Sequence, residues 1–299
     1  VAERAPDGGW ARLYGGTRSV RLQGSDGSPP QRARSFEAGG ANHDRQISGM
    51  QMGQDLYGRR VADDAAVRAG VSLGVTHAQA DVGGLYAGDG QVGTVRMDGY
   101  SLGGYWTYAQ QAGWYVDVHQ MFSLYRHVRI DGGALGGMGT RGWGSTTSIE
   151  VGRNQRLGGG WFIEPQAQLI HQFTRLGDAH HGQSLQVHYA HGQALHARWG
   201  ARFGKTLEGA HKATLYAHAD LWHTGGGHAR TTYDVPSRAR ETGLQLATRL
   251  GGTWLQTGVG MQGALTRNLT VHGALDYQQA LQGDGGHGVA GHAGLRLVW

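Results

Sequence analysis

A two-residue alternation of apolar and polar side chains runs through most of this chain and limits its fold more than any other feature. In residues 114–124, Trp114, Val116, Val118, Phe122 and Leu124 fall on one face of an extended strand. Tyr115, Asp117, His119, Met121 and Ser123 fall on the other. Ala213, Leu215, Ala217, Ala219 and Leu221 oppose Thr214, Tyr216, His218 and Asp220 in the same way, and Leu269, Val271, Leu275 and Tyr277 oppose Thr270, His272 and Asp276. The final segment sets Val289, Ala293, Leu295, Leu297 and Trp299 against His292, Gly294 and Arg296. Successive strand side chains point to opposite faces, so each segment is a strand with one greasy side and one wet side.

Extended along the chain, the pattern predicts about twelve strands, near 9–22, 44–57, 66–80, 95–110, 113–128, 141–156, 161–176, 193–206, 211–223, 251–265, 268–281 and 289–299. The connections between them alternate. Long ones cover 23–43, 81–94, 129–140, 177–192, 224–250 and 282–288, and short ones cover 58–65, 111–112, 157–160, 207–210 and 266–267. A soluble β-sandwich or β-helix has no reason to sort its loops by length. An outer-membrane barrel does, with short periplasmic turns and long external loops. The expected fold is therefore all-β, a closed 12-stranded antiparallel transmembrane barrel. In lipid every backbone polar group must be paired, so a spanning sheet has to close on itself.

Composition fits this reading. Only 39% of residues are hydrophobic, as expected when one face of each strand is wet, and no stretch approaches the roughly 18 continuous apolar residues of a transmembrane helix. The 55 glycines lack a Gly-X-Y period and come with 5 prolines, which excludes collagen. There is no cysteine, hence no disulfide, thiolate metal site or cysteine nucleophile. The net charge of +5 comes from scattered arginines, only Lys205 and Lys212 being lysine, so no clustered nucleic-acid surface is expected. The first nine residues carry no signal peptide.

On this phasing Trp106, Trp114, Trp161 and Trp299 lie on the apolar face near the short-turn ends. They form one girdle at the membrane interface, where amphipathic rings favour the headgroups. Trp10 and Trp254 fall out of phase with it. The polar face, expected to line the pore, carries Arg12, Arg68, Tyr115, Asp117, His119 and Glu150 in the first half of the chain. Glu164, Gln166, Gln168, Arg198 and Arg202 follow, then Tyr216, His218, Asp220, His272, Asp276 and Arg296. Such a lining can brace and hydrate the lumen, or hold a helix or passing chain by hydrogen bonds and charge pairs. Gly49, Gly53, Gly70, Gly74, Gly200 and Gly204 share this face and are expected to thin the wall.

Seventeen histidines raise the question of metal. The best cluster, His180 and His181 near Asp178, lies in a Gly-flanked loop without a ligand spacing, so no metal or other cofactor is expected. Asp63 and Asp64 fall in a short turn, and pairs such as Ser123 and His127 have no orienting third group, so no catalytic set is expected. Segment 230–235 is a possible extra strand of an external hairpin in loop 224–250.

Several segments carry a family resemblance. These are Trp10-Ala-Arg-Leu-Tyr-Gly-Gly16, Tyr100-Ser-Leu-Gly-Gly-Tyr-Trp106, Gly113-Trp-Tyr-Val-Asp117 and Gly158-Gly-Gly-Trp-Phe-Ile-Glu-Pro-Gln-Ala-Gln168. From about residue 9 onward the chain resembles the translocator domain of type Va autotransporters, in particular the pertactin group. Its ending resembles the outer-membrane assembly signal, with His292, Gly294, Leu297 and Trp299 at the polar, glycine, apolar and terminal aromatic positions. The resemblance implies a monomeric outer-membrane barrel that exports its own N-terminal passenger to the cell surface, with a role in virulence. It also implies the barrel assembly machinery and membrane lipid as partners, and a plug helix ahead of the first strand. The expected division is 1–8 as a linker remnant and 9–299 as barrel. Eight residues make at most about 12 Å of helix, too short for a hydrocarbon core of about 30 Å, so plug and passenger are expected to lie outside this chain. Some members of the family cleave themselves at an Asn within the barrel. The first Asn here is Asn42, in an expected external loop. A porin-like channel and an outer-membrane hydrolase are the alternative functions.

Overall fold

The computed structural model describes residues 8–21, 42–62, 64–83, 91–132, 136–181, 185–189, 191–209, 212–234, 244–249, 251–283 and 285–299. Every regular element among them is a strand. Twelve build the wall: β1 (Gly8–Arg21), β2 (Asn42–Ala62), β3 (Ala65–Gly83), β4 (Gln91–Gln110), β5 (Trp114–Gly132), β6 (Gly136–Arg153), β8 (Trp161–Leu176), β11 (Gly192–Leu207), β12 (Ala213–Asp234), β14 (Gly252–Ala264), β15 (Leu269–Gly283) and β16 (Gly285–Val298). Four short strands, β7 (Gln155–Gly158), β9 (Ala179–His181), β10 (Leu185–Tyr189) and β13 (Leu244–Arg249), pair beside them.

Each wall strand is antiparallel to the next, and β1 pairs with β16 from Gly8↔Val298 to Arg21↔Gly285. That last ladder closes the ring and leaves no edge among the twelve wall strands. Closure removes the row of unpaired backbone groups that lipid could not satisfy.

Side-chain reach distinguishes the concave face from the convex one. Tyr105 on β4 bonds Asp55 on β2, Arg198 on β11 bonds Glu150 on β6, and His218 on β12 bonds Asp276 on β15. Each bridge passes over an intervening strand, which is possible only inside the curve, where side chains converge. The opposite face carries Leu13, Leu73, Leu102, Phe122, Leu169, Leu215, Val259 and Leu275, the last 69% exposed. A belt of bare Leu, Val and Phe around a closed sheet is costly in water, at about 25 cal/mol per Å² of apolar surface, and suits lipid.

Glycines fit the rings of adjacent strands. A Cβ at Gly53 would strike the Trp10 indole, and one at Gly152 would lie 2.6 Å from the Tyr115 ring. These inward glycines therefore do more than thin the wall, because aromatic rings from adjacent strands lie flat in the space they leave. At the short turns, Gly113 adopts φ 93° and Gly160 φ 82°, a region that glycine enters without a Cβ clash.

Several wall strands are longer than the alternation predicts. β2 runs to Ala62 and β3 resumes at Ala65, where a short turn over 58–65 is expected; β5 runs to Gly132 and β6 starts at Gly136, where a long connection is expected. Beyond the apolar belt both faces are wet, so periodicity fades while the backbone ladder continues. β12 extends to Asp234 and pairs with β13, so 230–234 is strand in an external hairpin. The expected 1–8 linker remnant lies outside the described residues apart from Gly8, as does nearly all of the connection 23–43.

Candidate functional site

The barrel interior holds two connected polar systems. The larger starts at the turn residue Asn154, whose Nδ2 donates to Glu164 at 2.8 Å. Gln166 donates to Glu164 and to the Tyr115 hydroxyl, both at 2.7 Å, and Tyr115 donates to Glu150 at 2.8 Å. Arg198 links Glu150 at 2.7 Å to Asp220 at 3.5 Å. His218 then joins Asp220 at 2.6 Å through Nδ1 and Asp276 at 2.8 Å through Nε2. A ring that donates from both nitrogens is an imidazolium, so two cations hold together the carboxylates Glu150, Asp220 and Asp276. Burial is deep: the side chains of Asp220, Arg198 and Glu150 are 1%, 11% and 18% exposed. An unpaired charge there is far more costly than a paired one, so the sequence places acids and bases on the same face of adjacent strands.

The second system lies beneath β1–β5 and β16. Arg296 pairs with Asp55, which also accepts from the Tyr105 hydroxyl at 2.7 Å. Arg68 lies close to the same carboxylate. Arg12 Nε donates to Gln51 at 3.0 Å, and Ser72 lies 3.2 Å from His119 Nε2. Among the described residues His119 has no carboxylate behind it, so this pair lacks the orienter that a Ser–His nucleophile needs.

The remaining residues expected at the lumen sit on the same inner face. Asp117 is in register with Thr107 and Glu150. Gln168 donates to Ser148 at 2.9 Å, Arg202 lies 3.7 Å from Glu164 and 5.1 Å from the Tyr216 ring centre, and the His272 ring lies tilted beside that of His292, their centres 5.8 Å apart. Of the assembly-signal residues, His292 and Gly294 face inward, Leu297 outward, and Trp299 follows the last residue of β16.

Several inner residues escape the sequence reading. Gln51 and Asp55 share parity with Gly49 and Gly53, and Ser72 with Gly70 and Gly74, so extending the glycine phase would have found them. Trp10, Trp222 and Trp254 also point inward. Trp222 and Trp254 stack at 5.9 Å and 5°, with the Arg198 and Arg18 guanidinium groups 5.6 Å and 4.9 Å from their ring centres. Their indoles need cationic and aromatic neighbours rather than lipid, which is why they are out of phase with the girdle.

On the outer face, Trp106, Trp114 and Trp161 are exposed near the short-turn end, as is Trp299. Arg153 and Lys205 lie 5.3 Å and 5.2 Å from the ring centres of Trp114 and Trp161, giving each ring a cation at that rim. Among the described residues no three His, Asp or Glu side chains gather as metal ligands. Asp178 instead meets His188 Nδ1 at 2.9 Å.

Comparison with known proteins agrees with this geometry. Residues 9–276 match the model of the autotransporter beta-domain family. The chain is 28% identical over 280 residues to the pertactin autotransporter of Bordetella bronchiseptica, covering 84% of this chain and 29% of that protein. It is 29% identical over 278 residues to the BrkA autotransporter of Bordetella pertussis, covering 92% of this chain and 25% of that protein. The crystal structure of the beta domain of the Bordetella autotransporter BrkA superposes with a TM-score of 0.70 at 22% identity, covering 99% of this chain and 100% of that one. The chain thus spans between a quarter and three tenths of the full-length relatives it matches.

Proposed function

We propose, from the premise that this chain belongs to the autotransporter beta-domain family and forms a barrel of the bacterial outer membrane, that its lumen is the route by which the chain's own N-terminal passenger reaches the cell surface. The observation that carries this reading is the closed twelve-stranded ring with a continuous polar interior. Such an interior offers hydrogen bonds to an extended or helical backbone while the wall shields it from lipid. The paired lumenal charges keep the barrel rigid while the passenger moves. The aromatic girdle sets the barrel's height in the membrane, and the final strand with Trp299 is the element read by the assembly machinery. In this reading the barrel works as a monomer in type V secretion, and residues preceding the first strand connect it to the plug helix and passenger.

A photo-crosslinking amino acid tests the route. Placed at Tyr216 on the inner face, it captures a passenger stalled during secretion. Placed at the neighbouring Leu215, it captures lipid and no passenger. Capture from Leu215 but not Tyr216 contradicts the reading. Planar-bilayer conductance separates it from a porin-like channel: a translocator conducts less when the upstream helix is present, whereas an open porin conducts equally with and without it.

A further inference from the structure

On the outer wall, just above the apolar belt at the end opposite the tryptophan girdle, β5, β6 and β8 enclose a groove of about 1080 Å³. Four exposed arginines line it: Arg126, Arg129, Arg141 and Arg175. None of the four guanidinium groups has a hydrogen-bond or ion-pair partner among the described residues, in contrast to those of Arg198 and Arg296 inside. The register places them together. Arg129 lies across from Gly139, Arg141 is two residues along β6 from Gly139, and Arg175 pairs with Trp143.

A local defect in the sheet produces the cluster. Between Tyr125 and Val128 the β5–β6 ladder shifts register, so Arg126 and His127 together oppose Arg141. His127 there has φ 52°, the one non-glycine residue with positive φ among those described. A bulge of this kind bends the strand and redirects its side chains, and here it turns two basic residues outward beside a third. Directly below, in strand order, lie Leu124 and Trp143, both exposed, with Trp143 5.1 Å from the Phe173 ring. The groove therefore has an arginine rim over an apolar floor.

The carboxylates nearby are already engaged or set apart. Asp98, in register with Arg126, is held by His77 at 2.8 Å and His127 at 3.3 Å. Asp178 is held by His188. Asp131 lies two residues beyond Arg129 along β5. The arginines outnumber the acids, and guanidinium groups match phosphate oxygens in paired hydrogen bonds.

We propose that this groove binds a phosphorylated glycolipid of the outer leaflet, its phosphate held by Arg126, Arg141 and Arg175 and its acyl chains laid over Leu124 and Trp143. Position argues for a lipid rather than a free anion. The arginines sit at headgroup height on the lipid-facing wall, and the apolar floor would be idle with inorganic phosphate.

The test uses the full 299-residue chain refolded in phosphatidylcholine nanodiscs doped with diphosphorylated lipid A or its dephosphorylated form, with retained lipid counted by native mass spectrometry. The expected result is at least a tenfold preference for the phosphorylated form, lost in the R126Q/R141Q/R175Q variant and kept in R59Q/R156Q/R267Q, which removes as many arginines from the opposite rim. The heat-modifiable mobility of the folded barrel establishes insertion of each variant. If the triple variant does not insert, the single variants R126Q and R175Q are read instead, each expected to lower the preference severalfold. Equal retention of both lipids, an unchanged preference in the groove variants, or displacement of lipid A by equimolar inorganic phosphate overturns the proposal.

Discussion

The inner and outer faces of this barrel are built from alternate residues of the same strands, yet they treat charge in opposite ways. Inside, Arg198 reaches Glu150 over β8 and Asp220 on the adjacent β12, and Arg296 reaches Asp55 over β1. Outside, the mid-height belt carries no charge, and the guanidinium groups of Arg126, Arg129, Arg141 and Arg175 above it lack a partner within the described residues. The difference teaches that the lumen is self-sufficient in charge, while the outer rim depends on what surrounds it. A wall that transports something should not need its cargo to hold its shape, and a wall in a membrane can leave part of its pairing to lipid.

The strongest way to break this comparison is to unbalance the inside. Arg198→Met leaves Glu150 and Asp220 without their shared cation, and removing one partner of a buried pair costs about 3–5 kcal/mol. Urea unfolding in lipid vesicles is expected to show that loss, and an unchanged midpoint would mean the lumen is wet enough to screen its charges. Val259→Arg, on the outer face and five residues inside β14 from its short-turn end at Ala264, is expected to cost about 2–4 kcal/mol, while the same change at Leu265, in a short turn, costs about 0–1 kcal/mol. Equal costs at the two depths would put the belt in the wrong place. Gly152→Ala pushes a methyl into the Tyr115 ring and is expected to cost about 1–3 kcal/mol as overpacking. The cost should shrink in a Tyr115→Ala background, where the ring is gone. Smallest of all, Arg126→Gln in purely zwitterionic lipid is expected to stay within about 0.5 kcal/mol of the parent, since no protein group there is deprived of a partner.

The alternation made the strand count, the antiparallel ring and the lipid belt legible, because a two-residue period states directly which side chains share a face. It also placed Arg198, His218, Asp220 and Asp276 on one face. The pairing itself was not legible. Which acid meets which base depends on the register of non-adjacent strands, as when Arg198 passes over β8 to reach Glu150. Asp55 was missed although two-residue counting from Gly53 reaches it, since nothing local marks a carboxylate as buried. The extra length of β2, β5 and β6 was missed because the two-faced pattern ends where lipid ends. The arginine groove was hidden by its bulge: Arg126 and His127 close the expected strand 113–128 and Arg129 opens the expected connection, and only the shifted register turns Arg129 to the same wall as Arg126.

The central claim is that this barrel carries its own passenger outward. The most direct measurement places an export signal, a folded reporter and the family's upstream helix, in that order, ahead of Val1, and asks whether external protease removes the reporter from intact cells. The account predicts that the reporter is shaved from the surface while the barrel stays protected, and that the destabilised Val259→Arg variant displays less of it. A barrel that inserts normally while the reporter remains in the periplasm would contradict the claim.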